Sequence, residues 1–265
     1  MAGIFDTHTH FNDELYKKND IEVSEIIKEA NNNGVSKFCC VGFDINSSKE
    51  AVKYAMKFPS VYAAVGIHPN NVDEFDLKDL EDVDTLSYGQ NVVAIGEVGL
   101  DYYYTSKNKD KQKEFFKKQI DIAKKNDLAL MMHIRDKDDS DQAYLDALEI
   151  LKEKKVKRAI VHCYTRGYNL AKKFIDLGYY ISIPGVVTFK NAKDLQETVS
   201  KVSLNNLIVE TDAPYLTPEP NRGSMNFSRY IVYTIKAIAN IKQLNKNDII
   251  EATSNNAHKV FNIKN

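Results

Sequence analysis

The sequence predicts one α/β domain over residues 1–265, a (β/α)₈ TIM barrel with its active site at the C-terminal ends of the strands. Three observations carry this expectation. Short apolar runs recur about eight times, stretches of helical periodicity separate them, and no Pro/Gly/Ser-rich linker divides the series.

The runs are Ile4-Phe5, Lys37 to Val41, Val61 to Val65, Val92 to Ile95, Ala129 to Met132, Ala159 to Val161, Tyr179 to Ile183 and Leu207 to Val209. Each is continuously apolar rather than alternating, as parallel strands covered on both faces are. Among the helical stretches, Ile21 to Asn33 carries Ile26, Ile27 and Ala30 on one face and stops at Gly34, a residue suited to a C-cap. Ser48 to Phe58 ends before Pro59, and Lys111 to Asn126 sets Phe115, Phe116, Gln119, Ile120 and Ala123 at helical spacing. Ala143 to Lys154, Leu170 to Leu177, Ala192 to Val202, Phe227 to Ile241 and Asn247 to His258 complete the set.

Composition narrows the function. The formal net charge is −1, so no global basic field exists to hold a long nucleic acid duplex, and any nucleic acid must be gripped by a few local contacts. No run approaches the ~18 apolar residues of a membrane span. Met1 to His10 has neither the basic nor the apolar region of a signal peptide. The three cysteines, Cys39, Cys40 and Cys163, are odd in number and form no CxxC, which fits a reducing compartment. A cytoplasmic protein without a membrane or obligate protein partner is expected.

Metal-ligand side chains follow several of the apolar runs, and in a barrel those positions converge on one mouth. The first run leads into Asp6-Thr7-His8-Thr9-His10, where His8 and His10 are two apart and face the same way in extended chain. Read alone, this pair fits two surface histidines in a turn equally well. Glu97 follows a fully apolar run and sits between Gly96 and Gly99; burying its carboxylate is costly unless a cation or an arginine offsets it. His133 and His162 occupy the same point of two later repeats, and Asp212 follows the last run. His8, His10, Glu97, His133, His162 and Asp212 exceed what one catalytic metal with open positions needs. Two divalent cations bridged by Glu97 account for all six, with Mg²⁺, Mn²⁺ or Zn²⁺ suited to imidazole and carboxylate ligands.

With these motifs in place the chain resembles the TatD family of metal-dependent deoxyribonucleases, in the amidohydrolase superfamily. The resemblance runs nearly end to end. It rests on DTHTH (Asp6 to His10), GIHP (Gly66 to Pro69), GEVGLDYY (Gly96 to Tyr103), MHIRD (Met132 to Asp136), HCYT (His162 to Thr165), SIPGVVTFKNA (Ser182 to Ala192) and ETDAPYLTP (Glu210 to Pro218). Two positions depart from the family pattern: Ser224 stands where a basic residue is usual after Arg222-Gly223, and Asn70 where a histidine usually follows GIHP.

The resemblance implies one metal on His8, His10 and Asp212, another on His133 and His162, and Glu97 between them. It implies hydrolysis of DNA phosphodiester bonds, expected as 3′–5′ exonucleolysis of single strands or short ends. Asp212 is then the candidate general base, with Glu97 part of the catalytic set. His68 either contacts phosphate, protonates the leaving oxygen, or packs beside Pro69. Arg222 and Arg135 are the candidate phosphate anchors, although a structural ion pair would serve Arg135 as well. Tyr102 to Tyr104 offer faces for bases or cover core, and Phe189-Lys190 is placed to reach substrate. Cys163 is expected to point away from His162, toward the helices, and His258 to be structural or exposed. The alternatives are an ester or C–N hydrolase of the same superfamily, such as an aminoacyl-tRNA deacylase, and a binding protein on a degenerate barrel.

Overall fold

A computed structural model describes residues 3–105 and 107–264. Eight parallel strands pair in chain order: β1 (Ile4–Thr9), β2 (Val35–Val41), β3 (Val61–Val65), β4 (Val92–Asp101), β5 (Ala129–Arg135), β6 (Ala159–Val161), β7 (Tyr180–Ile183) and β8 (Leu207–Val209). The last strand meets the first through the parallel bridge Thr9–Ala213. There the His10 N–H donates to Ala213 O at 2.8 Å and the Asp212 N–H to His8 O at 2.9 Å. The fold is the predicted TIM barrel.

The helices are α1 (Glu14–Lys18), α2 (Val23–Asn32), α3 (Ile45–Lys57), α4 (Leu80–Ser87), α5 (Lys109–Lys125), α6 (Gln142–Lys154), α7 (Tyr168–Ile175), α8 (Lys193–Lys201), α9 (Ile231–Lys242) and α10 (Lys246–Val260). Eight of them fall on the expected stretches. The α9 segment begins later than Phe227 because Ser228–Tyr230 forms a 3₁₀ turn. The sequence did not announce α1 or α4. Only Leu80, Val83 and Ser87 of α4 are buried, too short a stripe for periodicity to declare. Among the described residues no helix is long and apolar enough to cross a membrane.

Alternation along the strands sorts two cores. Phe5, Cys39, Val41, Met131, Ile160 and Ile208 pack together inside the barrel, while their neighbours Phe38, Cys40, Leu130, Met132, Val161 and Val209 pack outward with the helices. On α5, Phe115, Phe116 and Ile120 bury in that outer layer, where trimming Phe116 to alanine costs about 3–5 kcal/mol.

The same face of α5 holds the mouth in register. Gln119 and Gln112 are seven residues apart, two turns of helix, and both are buried. Gln119 accepts from the Ile67 N–H at 2.8 Å and donates to Ile67 O at 3.0 Å. Gln112 does the same for Asp101, at 2.8 and 3.0 Å. Each side-chain amide thus takes the place of a backbone partner where the ladder ends. A third clamp joins two mouth loops: the Arg166 guanidinium donates to the carbonyl oxygens of Asp136, Lys137, Asp138 and Ser140.

Candidate metal centre and its cavity

Strands β1 and β4 run on past their apolar residues and carry the polar ones into the mouth. His8 in β1 and His10, one residue past its end, are both buried, with their Nε2 atoms 3.1 Å apart. The turn reading of HxH is therefore excluded. In β4 the register against β5 slips between Ile95 and Val98, a bulge that turns Glu97 into the centre. Gly99, at φ +141°, lies so close to β5 that a Cβ there would collide with the His133 carbonyl oxygen.

All six expected ligands converge. On one side His8 Nε2 and His10 Nε2 stand 3.6 and 3.4 Å from Asp212 Oδ1, and 3.6 and 3.9 Å from Glu97 Oε2. On the other, Glu97 Oε1 lies 2.9 Å from both His133 Nδ1 and His162 Nε2, which are 3.4 Å from each other. Donor atoms ~2.1 Å from a shared cation lie roughly 3–3.5 Å from one another, so the spacing on each side fits one divalent ion. The two oxygens of Glu97 face the two sides separately, as a bridging carboxylate does.

The far nitrogen of each imidazole decides what the near one offers. His10 Nδ1 lies 2.9 Å from the Val41 carbonyl oxygen and His133 Nε2 lies 2.9 Å from Asp101 Oδ2. His162 Nδ1 faces Glu210 Oε1 at 3.5 Å, in ion-pair range but outside hydrogen-bond geometry. These partners only accept, so the neutral rings carry hydrogen on the far side and turn a lone pair to the centre. Among the described residues His8 Nδ1 has no hydrogen-bond partner, and its Nε2 faces the same cluster. His68 is the exception. Its Nδ1 accepts from the Asn70 N–H at 3.1 Å, so neutral His68 holds its hydrogen on Nε2, 3.4 Å from Glu97 Oε1. It presents a donor where the others present lone pairs.

Electrostatics agree with a cation site. Burial pushes the Glu97 carboxyl up, but the imidazoles of His162, His68 and His133 outweigh it and hold it well below the usual carboxylate range. Burial pushes His162 down, yet Glu97 and Glu210 hold it well above its ordinary value. His10 and His133 are likewise raised against burial, by Asp212 and Glu97 and by Asp101 and Glu97 respectively. Without cations, protons on these rings offset the carboxylates; a divalent ion replaces them.

The centre opens into a cavity of about 620 Å³ lined by Phe43, Tyr104, Tyr144 and Tyr215 among other residues. Among the described residues Arg135 is the only arginine or lysine in that lining. No carboxylate pairs with it among the described residues, which removes the ion-pair alternative. Its guanidinium lies 4.0 and 4.9 Å from the ring centres of Tyr103 and Tyr104 and donates to Tyr104 Oη at 3.1 Å. Tyr103 and Tyr104 are exposed, whereas Tyr102 is buried and donates to Asp146 Oδ2 at 2.8 Å. Arg222 is exposed, 4.1 Å over the Phe189 ring, and neither it nor Phe189-Lys190 lines the cavity.

Cys163 corrects an expectation. It lines the cavity rather than facing the helices. β6 ends at Val161 and Cys163 takes a left-handed φ of 48°, so strand alternation does not extend to it. Asp101 and Glu210 escaped the sequence reading. Each is fully buried and sits two or four residues from a ligand on the same strand or its extension, Glu97-Asp101 and Glu210-Asp212. That period was the available signal.

A model of the TatD related DNase family matches residues 5–262. The uncharacterized metal-dependent hydrolase YabD of Bacillus subtilis (strain 168) is 37% identical over 262 residues, covering 98% of this chain and 99% of that protein. YcfH of Escherichia coli (strain K12), described in the same words, is 34% identical over 263 residues, covering 98% and 96%. The crystal structure of YJJV, a TatD homolog from Escherichia coli K12, has the same fold at a TM-score of 0.90, 24% identity and 98% coverage of both chains.

Proposed function

Because the chain belongs to the TatD related DNase family and is a metal-dependent hydrolase, we propose that it cleaves phosphodiester bonds of DNA, as a 3′–5′ exonuclease on single strands or short ends. One observation carries the choice of substrate: an arginine without a carboxylate partner, stacked on exposed tyrosines, lines the cavity over the ligand cluster. A guanidinium fork matches phosphate oxygens, and a free aromatic face takes unpaired bases of any sequence. A single such cation suits a strand end, because a duplex is held by many phosphate contacts.

His8, His10 and Asp212 would hold one divalent cation, His133 and His162 the other, with Glu97 between them. Mg²⁺, Mn²⁺ or Zn²⁺ there supplies positive charge toward the phosphate oxygens and makes water more acidic. Arg135 binds and orients the phosphate. Asp212 takes a proton from the attacking water as its oxygen bonds to phosphorus. Neutral His68 donates a hydrogen bond from Nε2 to the leaving oxygen as that P–O bond breaks, and a proton from solvent water completes the leaving hydroxyl. Arg222, outside the cavity, is left as a contact for more distant phosphate.

The test is release of nucleotides from labelled single-stranded DNA with each metal, beside Glu97→Ala and Asp212→Ala. Metal-dependent release that both substitutions abolish supports the proposal. No cleavage by folded, metal-loaded protein, with turnover of an ester panel instead, overturns it in favour of an ester hydrolase.

A further inference from the structure

Asp101 lies between the metal centre and the rim of the cavity. It is fully buried at the end of β4, and its two oxygens serve different neighbours. Oδ2 accepts from His133 Nε2 at 2.9 Å and from Asn70 Nδ2 at 3.0 Å. Oδ1 accepts from the backbone N–H groups of Tyr103 at 2.9 Å and Tyr104 at 3.4 Å. The backbone of Asp101 is fixed from behind by Gln112, so the carboxylate has little freedom to follow one set of partners away from the other. Tyr103 and Tyr104 in turn carry the Arg135 guanidinium.

We propose that Asp101 is a positioning residue that couples cation binding at His133 to the order of the Tyr103–Tyr104 loop, and through the loop to Arg135. A cation drawing on His133 Nδ1 fixes the ring, the ring fixes Asp101 Oδ2, and the other oxygen holds the two loop amides. Hydrogen bonds to a charged acceptor are the stronger kind, and in a buried network each strengthens the next. The coupling is reciprocal: whatever orders the loop tightens the cation. Its consequence for substrate rests on Arg135 being the phosphate anchor, as proposed above.

The asparagine at this position that departs from the family pattern belongs to the same network. Asp101 accepts only, so the Asn70 amide must turn its nitrogen toward it. A neutral amide there adds a donor to Asp101 without adding charge beside His133.

Asp101→Asn separates the two halves without changing size. The substituted side chain has one acceptor oxygen, whereas the wild-type carboxylate receives donors on both oxygens. Either amide orientation sets an NH₂ group against N–H donors, so His133 or the loop loses its partner. Zn²⁺ is titrated into metal-stripped protein by calorimetry, and amide hydrogen exchange is followed across Tyr102 to Tyr104. In the wild type, saturating Zn²⁺ is expected to slow exchange of this segment about tenfold. Asp101→Asn is expected to weaken Zn²⁺ binding ~10–100-fold and to leave loop exchange fast even when Zn²⁺ is saturating. Gln112→Ala loosens Asp101 from outside the site and is expected to shift both readouts in the same direction, by less.

Wild-type loop exchange that ignores saturating Zn²⁺ overturns the proposal, and this arm decides even if the Asp101 variant does not fold. A variant whose loop responds to Zn²⁺ as the wild type does overturns it too. With DNA as substrate, the variant at saturating metal is expected to raise KM more than it lowers kcat. If DNA is no substrate, the proposed function falls, while calorimetry and exchange still decide the coupling.

Discussion

The protein keeps one histidine at the N-terminal end of its barrel and five at the mouth, and the two ends treat them in opposite ways. At the N-terminal end, His258 of α10 packs edge-on to Phe5. Its Nδ1 donates to Ser254 O at 2.7 Å and its Nε2 accepts from Lys37 Nζ at 2.8 Å. Donor meets acceptor at both nitrogens. At the mouth, the near nitrogens of His8, His10, His133 and His162 meet other lone pairs and carboxylate oxygens. A ring whose needs are met within the protein is structural. A ring whose near nitrogen meets only lone pairs and carboxylate oxygens calls for a proton or a cation in front, and His10 and His133 are in addition held from behind by acceptors. His68 stands between these cases, because its backbone partner is a donor.

The sharpest way to break this comparison is His68→Ala. A hydrogen-bond donor to the leaving oxygen that is not a ligand predicts kcat lowered ~10²–10³-fold with the metal content unchanged. Metal analysis beside turnover checks it, and loss of a metal ion together with activity would make His68 a ligand. Arg135→Ala comes next, with KM for single-stranded DNA raised about tenfold and kcat nearly kept, the size of one charged hydrogen bond lost. Lysine at that position is expected to restore little, since it lacks the planar fork and the stack on tyrosine.

Metal removal has a pH signature. In stripped protein the raised His10, His133 and His162 bind protons more tightly folded than unfolded. Their stabilisation is full below the ordinary histidine value of about 6.5 and is lost as pH rises through the raised values. The Tm of stripped protein should therefore fall from mildly acidic to alkaline buffer, and added divalent metal should recover it most at the alkaline end. Parallel Tm curves for stripped and loaded protein would contradict the cation site. The smallest effect is expected of His258→Ala: about 1 kcal/mol of stability by denaturant unfolding, from the acceptor lost to Lys37, with the metal content unaltered.

The strand order and the six-ligand cluster were legible because both follow from one-dimensional pattern. Continuous apolar runs declare buried parallel strands, and ligands in the same phase of several repeats must meet if the sheet closes. The strand ends were not legible. An apolar run stops at Phe5 or Ile95, whereas the strand continues past His8 and Glu97, whose polarity marks function rather than the end of a strand. Cys163 was misplaced because alternation holds only while the backbone is extended. The partners of His10 and His133 lie 31 and 32 residues away and leave no local trace, whereas that of His68 is the backbone N–H of Asn70, two residues on, a group that side-chain identity does not announce.

The Arg166 clamp has a consequence for how this surface can change. Its partners are the main-chain oxygens of residues 136–138 and 140, and every residue type carries that oxygen. Within the loop, the Asp136 carboxylate adds bonds from Lys137 N–H, Ser140 Oγ and Ala143 N–H, and the side chains of Lys137 and Asp138 take no part in holding its path. Lys137 and Asp138 can therefore be exchanged for other residues while the loop keeps its course, so descendants of this chain have room to vary the surface that follows Arg135 so long as Arg166 and Asp136 stay.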